Sequence, residues 1–178
     1  APMQDVLITA TVIDDTPNPT VTLYHRQDKE DPTDAYSSVV MLDDGFHGDG
    51  VAGDDVYGAI VAGLADGERL DFTIRADDGS SVSAAPPGHD TLDAGGYPSQ
   101  TYLCKFEDFV PDAEFPTYHM ITTQHTRDLQ GATIDRTNYD ATFIQSDTSG
   151  SCEIFYNITE RYRGHSTLTD TPHGFRLN

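Results

Sequence analysis

Alternating apolar and polar positions dominate the first half of the chain. The alternation is clearest at residues 69–77, where every second side chain is apolar, and residues 5–13 show the same period of two. Shorter segments of the same kind lie at residues 20–26, 38–42, 56–61 and 81–85, with turn residues between them. Several short strands without a credible helix predict a β-sandwich of immunoglobulin or fibronectin type III kind.

The alternation stops at residues 87–99, which are rich in Pro, Gly and polar side chains and predict a linker between two domains. Strand-like and helix-like segments follow it: strands at 101–109, 117–122, 141–145, 152–162 and 175–177, and a short helix at 126–132. The predicted organisation is a sandwich over residues 1–86, the linker over 87–99, and an incomplete, strand-rich α+β unit over 100–178. Because the last segment is only the start of a strand, we expect that the second domain is cut partway.

The most distinctive stretch is MLDDGFHGDGVAGDDVYG, at residues 41–58. Its carboxylates, which alternate with glycines, are Asp43, Asp44, Asp49, Asp54 and Asp55. Glycine lets the backbone fold back on itself, and Ca²⁺ takes about six to eight oxygen ligands in flexible geometry. We therefore predict a calcium site on these five residues, although the spacing is not that of an EF-hand. The alternative is a solvated Asp-Gly turn between two strands.

The charge balance restricts the partners of the chain. With 30 acidic and 10 basic residues the net charge is −20, so nucleic acid and anionic lipid would be repelled. Bound calcium or high salt would relieve this self-repulsion. No apolar run approaches the roughly 18 residues of a membrane helix, so no membrane span is predicted. The first residues lack the charged and apolar parts of a signal peptide and would suit a processed end.

Two cysteines, Cys104 and Cys152, occur without zinc-ligand spacing. In an extracellular protein they would form one disulfide that closes a loop of about 48 residues and is worth about 3 to 4 kcal/mol. The alternative is two buried free thiols. Asn157 begins the glycosylation sequon Asn-Ile-Thr, which also fits a secreted protein.

Three segments of the second half occur in a recognisable order: FPTYHMITTQ, then NYDATFIQ, then EIFYNITERYRGHSTLTDTPHGFRLN. They resemble the opening of the spore-coat-protein-H (CotH) kinase-like family, with its Pro-x-Tyr strand, its acidic-then-Thr-Phe strand and its Arg-x-Arg-Gly-x-Ser turn. The resemblance covers roughly residues 102–178. The first half resembles sandwich modules that precede such domains in secreted bacterial proteins, where a DDG-x-x-GD-x-x-AGD-x-x-Y loop recurs. Asp55 stands where that loop usually has Gly.

The resemblance implies phosphoryl transfer from ATP, with Mg²⁺, outside the cytoplasm. The residues that it assigns to cofactor binding are Arg161, Arg163, Gly164 and Ser166. Forked guanidinium donors, a close backbone approach and a hydroxyl suit phosphate oxygens. The alternative is an arginine pair held by acidic neighbours such as Glu160 or Asp170. The chain also has His173-Gly174 where the family often carries a basic pair.

A kinase needs a catalytic base and metal-binding carboxylates on a second lobe, and the resemblance places these beyond Asn178. We therefore expect no catalytic residue and no activity in the chain as given, and ATP and Mg²⁺ only if a full kinase domain follows.

Two functions follow from these observations. The first is the front of a secreted or cell-surface CotH-like bacterial protein, with a calcium-supported sandwich. The second is a non-enzymatic, extracellular structural or adhesive protein that self-assembles as a filament, sheath or matrix component through edge strands. The expected partners are other extracellular proteins or the chain itself.

Overall fold

The computed structural model describes residues 1–15, 18–29, 35–87, 100–108, 114–132, 137–163 and 175–177. These residues form eleven strands and one helix: β1 (Val6–Thr11), β2 (Thr20–Gln27), β3 (Ser37–Met41), β4 (Val56–Val61), β5 (Arg69–Asp77), β6 (Val82–Ala85), β7 (Tyr102–Lys105), β8 (Thr117–Ile121), α1 (Gln124–Ala132), β9 (Tyr139–Ser146), β10 (Cys152–Tyr162) and β11 (Phe175–Leu177). The strand pairings are antiparallel, and the chain is mainly β as its alternating pattern predicts.

The first half forms two facing sheets. A five-stranded sheet runs in the order β3-β2-β5-β6, with β7 beside β6 on the same edge of β5, and β1 pairs with β4 in a two-stranded sheet. Both sheets contribute to one buried core: Ile8, Val21, Leu23, Met41, Tyr57, Ala59, Val61, Leu70, Phe72, Ile74 and Phe106. This arrangement is consistent with a β-sandwich.

Strand β7 follows the segment predicted as a linker, yet it belongs to the first sheet. It pairs with the first half of β5, from Arg69 to Phe72, while β6 pairs with the second half. Phe106, just after β7, is 2 % exposed and packs in the sandwich core. The first sheet is therefore completed by residues that the sequence pattern assigns to the second unit.

The second half is a four-stranded antiparallel sheet in the order β11-β10-β9-β8, with α1 between β8 and β9. The helix begins after Thr123, whose hydroxyl accepts the N–H of Thr126 at 3.0 Å as an N-cap. The buried residues of α1 are Thr126 and Gln130, so the helix packs through polar side chains. Within the described part of the chain, no helix is long and apolar enough to cross a membrane.

The two cysteines are free thiols in the structure, in place of the predicted disulfide. Cys104 lies on β7, where Tyr156 of β10 is its neighbour, and Cys152 is exposed at the start of β10. Tyr156 lies four positions after Cys152 on the strand, about 13 Å away at 3.3 Å per residue. A disulfide requires Cα atoms within about 7 Å, so this register keeps the thiols apart.

Candidate functional site

Asp49 organises the first turn of the Asp-Gly loop, which we define as residues 43–55. The side chain is 2 % exposed, and its Oδ2 accepts the backbone N–H groups of Asp44 at 2.6 Å and Gly45 at 2.7 Å. Its Oδ1 accepts the N–H of His47 at 3.0 Å. These bonds, the one from Gly45 foremost, hold the pKa of Asp49 below its ordinary value.

Asp43 closes the other end of the loop in the same way. Its Oδ1 accepts the N–H groups of Gly53 at 2.6 Å and Asp54 at 3.3 Å, and its Oδ2 accepts that of Asp55 at 3.0 Å. One carboxylate therefore ties together residues ten to twelve positions away in the chain.

The side chains of Asp44 and Asp54 accept hydrogen bonds from residues two or three positions further along the chain. Asp44 accepts the N–H of Phe46 and the Nδ1 of His47, each at 2.9 Å, and the bond from His47 is the main reason that its pKa is lowered. Asp54 accepts the N–H of Val56 at 3.2 Å. Four of the five predicted calcium ligands thus serve as acceptors for the amides of the loop itself.

The structure does not bring three of these five carboxylates to one point. Among the described residues, three acidic side chains with oxygens close enough for one ion occur at Asp14, Asp15 and Asp78. Asp78 there also accepts the N–H groups of Ser80 and Ser81, which lower its pKa to about 2. The spacing of the loop motif is explained by backbone capping, and calcium binding stays a prediction.

Asp55 adopts a backbone conformation that explains the glycine of the resembling loops. Its φ is 65°, in the left-handed region that glycine enters without a Cβ penalty. The sequence therefore departs from the family pattern at a position where its own backbone favours Gly.

Replacing Asp55 by glycine should remove this backbone strain. We expect Asp55→Gly to leave the free energy of unfolding within about 0.5 kcal/mol of the parent or to raise it, because relief of the left-handed conformation offsets the entropy of glycine. Asp55→Ala, which keeps a Cβ, should lower it by about 1 kcal/mol. Urea unfolding of both variants checks the order. A larger loss for glycine than for alanine would contradict this interpretation.

A buried polar network lies on the polar face of β5. Asp71 and Thr73 on that face are 2 % and 0 % exposed. Asp71 accepts Arg26 Nε at 3.0 Å, the Tyr36 hydroxyl at 2.8 Å and the Thr101 hydroxyl. Burial, and next the charge of Asp71, raise the pKa of Tyr36, which keeps its proton. The strand alternation gives no signal for this network, because it does not show that the second unit covers β5.

Asp140 of β9 faces the same network from the second sheet. Its Oδ2 accepts the backbone N–H of Thr101 at 3.3 Å, while its Oδ1 is buried and has no partner among the described residues. Burial raises the pKa of Asp140 from 3.8 to about 7, and the charge of Asp71 adds to the rise. Thr101 therefore lies between two carboxyl groups, that of Asp71, which pairs with Arg26, and that of Asp140, whose pKa is raised.

Asp140→Asn should stabilise the fold in a pH-dependent way. The folded chain holds a proton that the unfolded chain releases between pH 3.8 and about 7, so stability is lost as pH rises through that window. We expect the free energy of unfolding of the variant to exceed that of the parent by up to about 4 kcal/mol at pH 8, with the difference vanishing near pH 4. Denaturant unfolding at several pH values measures it.

The matched control is Glu153→Gln, an exposed carboxylate on the adjacent β10. A constant difference between Asp140→Asn and the parent across the whole pH range would rule out titration of Asp140 as its cause.

The predicted arginine turn lies at the end of β10. Arg161 of β10 lies opposite Arg176 of β11 in the strand register. Arg163 follows the last residue of β10 and ends the described range 137–163. Gly164 and Ser166 lie outside the described residues. Glu160 is 0 % exposed and accepts the side-chain amide of Gln130 in α1. Burial raises the pKa of Glu160, and its hydrogen bond to α1 argues against the alternative in which it holds the arginines.

Asn157, the sequon asparagine, lies at a β-bulge in β10. Its φ is 53°, and the register with β9 shifts between Phe155 and Ile158. The side chain is half-buried and hydrogen-bonds the Tyr102 hydroxyl. Glycosylation at this position stays a prediction.

Comparison of the chain with models of protein families, with curated proteins and with solved structures finds no match.

Proposed function

We propose that the chain is the amino-terminal part of a secreted or cell-surface bacterial protein with CotH-like character. In this proposal an immunoglobulin- or fibronectin-III-like module precedes the first strands of a kinase-like lobe. The observation that supports it is the placement of the three family-like segments. They fall on β8, β9 and β10, which are neighbours in one antiparallel sheet, with a helix between the first two.

The assigned arginines have a position that suits phosphate binding. Arg161 and Arg163 lie at the end of the longest strand of the second sheet. Forked guanidinium groups at such an end could hold the phosphates of ATP and Mg²⁺ once the second lobe of a kinase is present. The chain alone contributes positioning, and transfer would require the carboxylates of that lobe.

The proposal is tested by phosphate transfer from labelled ATP with Mg²⁺. We expect no transfer by the chain as given and transfer by the natural full-length product, whose intact mass should exceed 19.4 kDa. In the full-length product, Arg161→Met with Arg163→Met should abolish transfer, whereas Arg75→Met on β5 should not. Transfer by the chain alone, or a natural product that ends at Asn178, would contradict the proposal.

Calcium support of the sandwich is a separate part of the proposal, and the carboxylate-rich loop motivates it. A cation present at about 100 times its dissociation constant adds about 2.7 kcal/mol. We therefore expect the melting temperature to rise by about 5 to 10 °C between excess chelator and millimolar Ca²⁺. Asp43→Asn should lose this rise and Asp78→Asn should keep it. An unchanged melting temperature removes calcium from the proposal, and loss only in Asp78→Asn relocates the site.

A second candidate function is self-assembly of a non-enzymatic surface protein, favoured by an exposed aromatic row on the second sheet. Tyr118, Phe143 and Phe155 lie on β8, β9 and β10, with ring centroids 5.8 and 6.2 Å apart. Tyr118 is 59 % and Phe155 45 % exposed. Large exposed apolar patches mark interaction surfaces, and the proposed occupant is the same face of a second copy.

Sedimentation velocity over a range of concentrations tests self-assembly. We expect concentration-dependent association that Phe155→Ser abolishes, whereas Ile13→Ser, a substitution of another exposed apolar residue at 86 % exposure, should leave it intact. A chain that stays monomeric with and without Ca²⁺ at high concentration would count against this function.

A further inference from the structure

A cleft between the sandwich and the second sheet is lined by basic side chains, although the chain as a whole is acidic. Its volume is about 400 Å³, and it lies where β5 and β7 meet β8 and the start of α1. Among the described residues, its lining contains Arg69, Lys105 and Arg127, with Thr122 and Gln124, and no Asp or Glu. Three of the 10 basic residues of a chain with net charge −20 therefore line one cleft.

Two of these cations converge on one neutral oxygen. Arg69 Nη2 donates to Gln124 Oε1 at 3.2 Å, and Arg127 Nη2 donates to the same oxygen. Arg127 Nη1 also donates to the carbonyl of Thr122 at 2.8 Å. Burial, and next the charge of Arg69, lower the pKa of Arg127, whereas the charges of Asp28 and Asp128 raise it. A neutral amide oxygen offsets the repulsion between the two guanidinium groups only in part.

Two acidic side chains pair with cations of the cleft but do not use all of their donors. Asp28, whose side chain is 5 % exposed, accepts Arg69 Nε at 2.8 Å and the N–H of Gln124 at 2.9 Å. Glu107 accepts one bond from Lys105 and another from the ring of His119. A guanidinium has five N–H donors and an ammonium three, so each cation keeps donors for a further acceptor.

We propose that this cleft binds an oxyanion, the phosphate or sulfate group of a ligand, through Arg69, Arg127 and Lys105. An anion placed beside Gln124 Oε1 would accept the remaining guanidinium donors and relieve the repulsion between the two arginines. Met120 and Ile121, which also line the cleft, offer an apolar surface to the group that carries the anion. The proposal is independent of the CotH-like function, since Arg161 and Arg163 are not among the described residues that line this cleft.

The test is titration of the chain with inorganic phosphate, pyrophosphate, sulfate and ATP at constant ionic strength. Binding is followed by the melting temperature and by the NMR signals of the arginine Nε–H groups. We expect saturable binding that shifts the Arg69 and Arg127 signals. Lys105→Gln with Arg127→Gln should weaken it by at least about tenfold, whereas Arg75→Gln, which alters another arginine of β5 outside the cleft, should not.

Each outcome decides the proposal. Equal affinity for inorganic phosphate and ATP assigns the cleft to a free oxyanion, and tighter binding of pyrophosphate and ATP assigns it to a phosphoanhydride. Should the double variant unfold, the arginine signals of the parent chain decide alone. Absence of saturable binding, or equal weakening by Arg75→Gln, overturns the proposal, because the effect would then be general screening of a highly charged chain. Neither result depends on phosphoryl transfer.

Discussion

Asp71→Ala should lower the free energy of unfolding by about 3 kcal/mol, a large fraction of the stability of a domain of this size. The substitution removes the carboxylate from a buried network, and with it the ion pair that Asp71 forms with Arg26, whose side chain is 10 % exposed. The hydroxyls of Tyr36 and Thr101 lose an acceptor as well. The cost comes from the buried polar groups that stay behind, since breaking such a pair is more costly than replacing it entirely.

Two variants separate this explanation from a general loss of stability. Asp77→Ala removes an exposed carboxylate from the same strand, together with its bond to the N–H of Gly79, and should change stability by less than about 1 kcal/mol. Asp71→Ala combined with Arg26→Met should recover part of the loss, because both charges of this ion pair are then removed. Urea unfolding measures all three, and a loss below about 1 kcal/mol for Asp71→Ala would contradict a buried network.

Gly58→Ala should lower the free energy of unfolding by about 3 kcal/mol, which is the upper range for adding atoms to a packed site. A Cβ at this buried position would lie 2.3 Å from the carbonyl oxygen of His47, so the backbone of the loop or of β4 must move. Gly58 also exchanges two backbone bonds with Leu42, of 2.8 and 3.0 Å, which anchor the residue before the loop to the first half of β4. The substitution should therefore detach the loop from the sheet.

The matched control for Gly58→Ala is the same substitution in α1. A Cβ at Gly131 meets nothing within 4 Å, and alanine favours a helix over glycine, so Gly131→Ala should stabilise the chain by about 0.5 to 1 kcal/mol. Opposite signs for the two variants, measured by thermal unfolding, would support close packing of the loop. Equal and small effects would mean that the loop moves away without cost.

The alternating pattern predicts the strands well, because the side chains of a half-buried strand point alternately to the core and away from it, so that every second residue is apolar. Residues 69–77 form β5 over the range expected, and residues 56–61 form β4. The same pattern does not tell which polar residues of β5 are buried, and Asp71 and Thr73 on its polar face are buried. Polar residues covered by another element look the same in a sequence as polar residues in water, so pairing with a distant partner such as Arg26 has no local signature.

The candidate site, too, could be predicted from the sequence only in part. The sequence identifies the Asp-Gly loop, and clustered carboxylates between glycines suggest a cation. The sequence alone does not show that Asp43 and Asp49 accept backbone N–H groups. Carboxylates that cap backbone turns and carboxylates that bind cations are the same residue types at similar spacing. The basic cleft was missed altogether, since Arg69, Lys105 and Arg127 are far apart in the sequence and each looks like an isolated surface charge.

The sharing of β5 between the two halves of the chain restricts how this protein can be divided or recombined. Residues 1–86 alone would lack β7 and Phe106, and would expose Asp71 with its partners to water. A fragment cut at the predicted linker should therefore be insoluble or unfolded, and limited proteolysis there should release no stable piece. For the same reason, gene rearrangements that exchange modules at this point would be selected against, so that the sandwich and the sheet that follows it should be inherited together as one evolutionary unit.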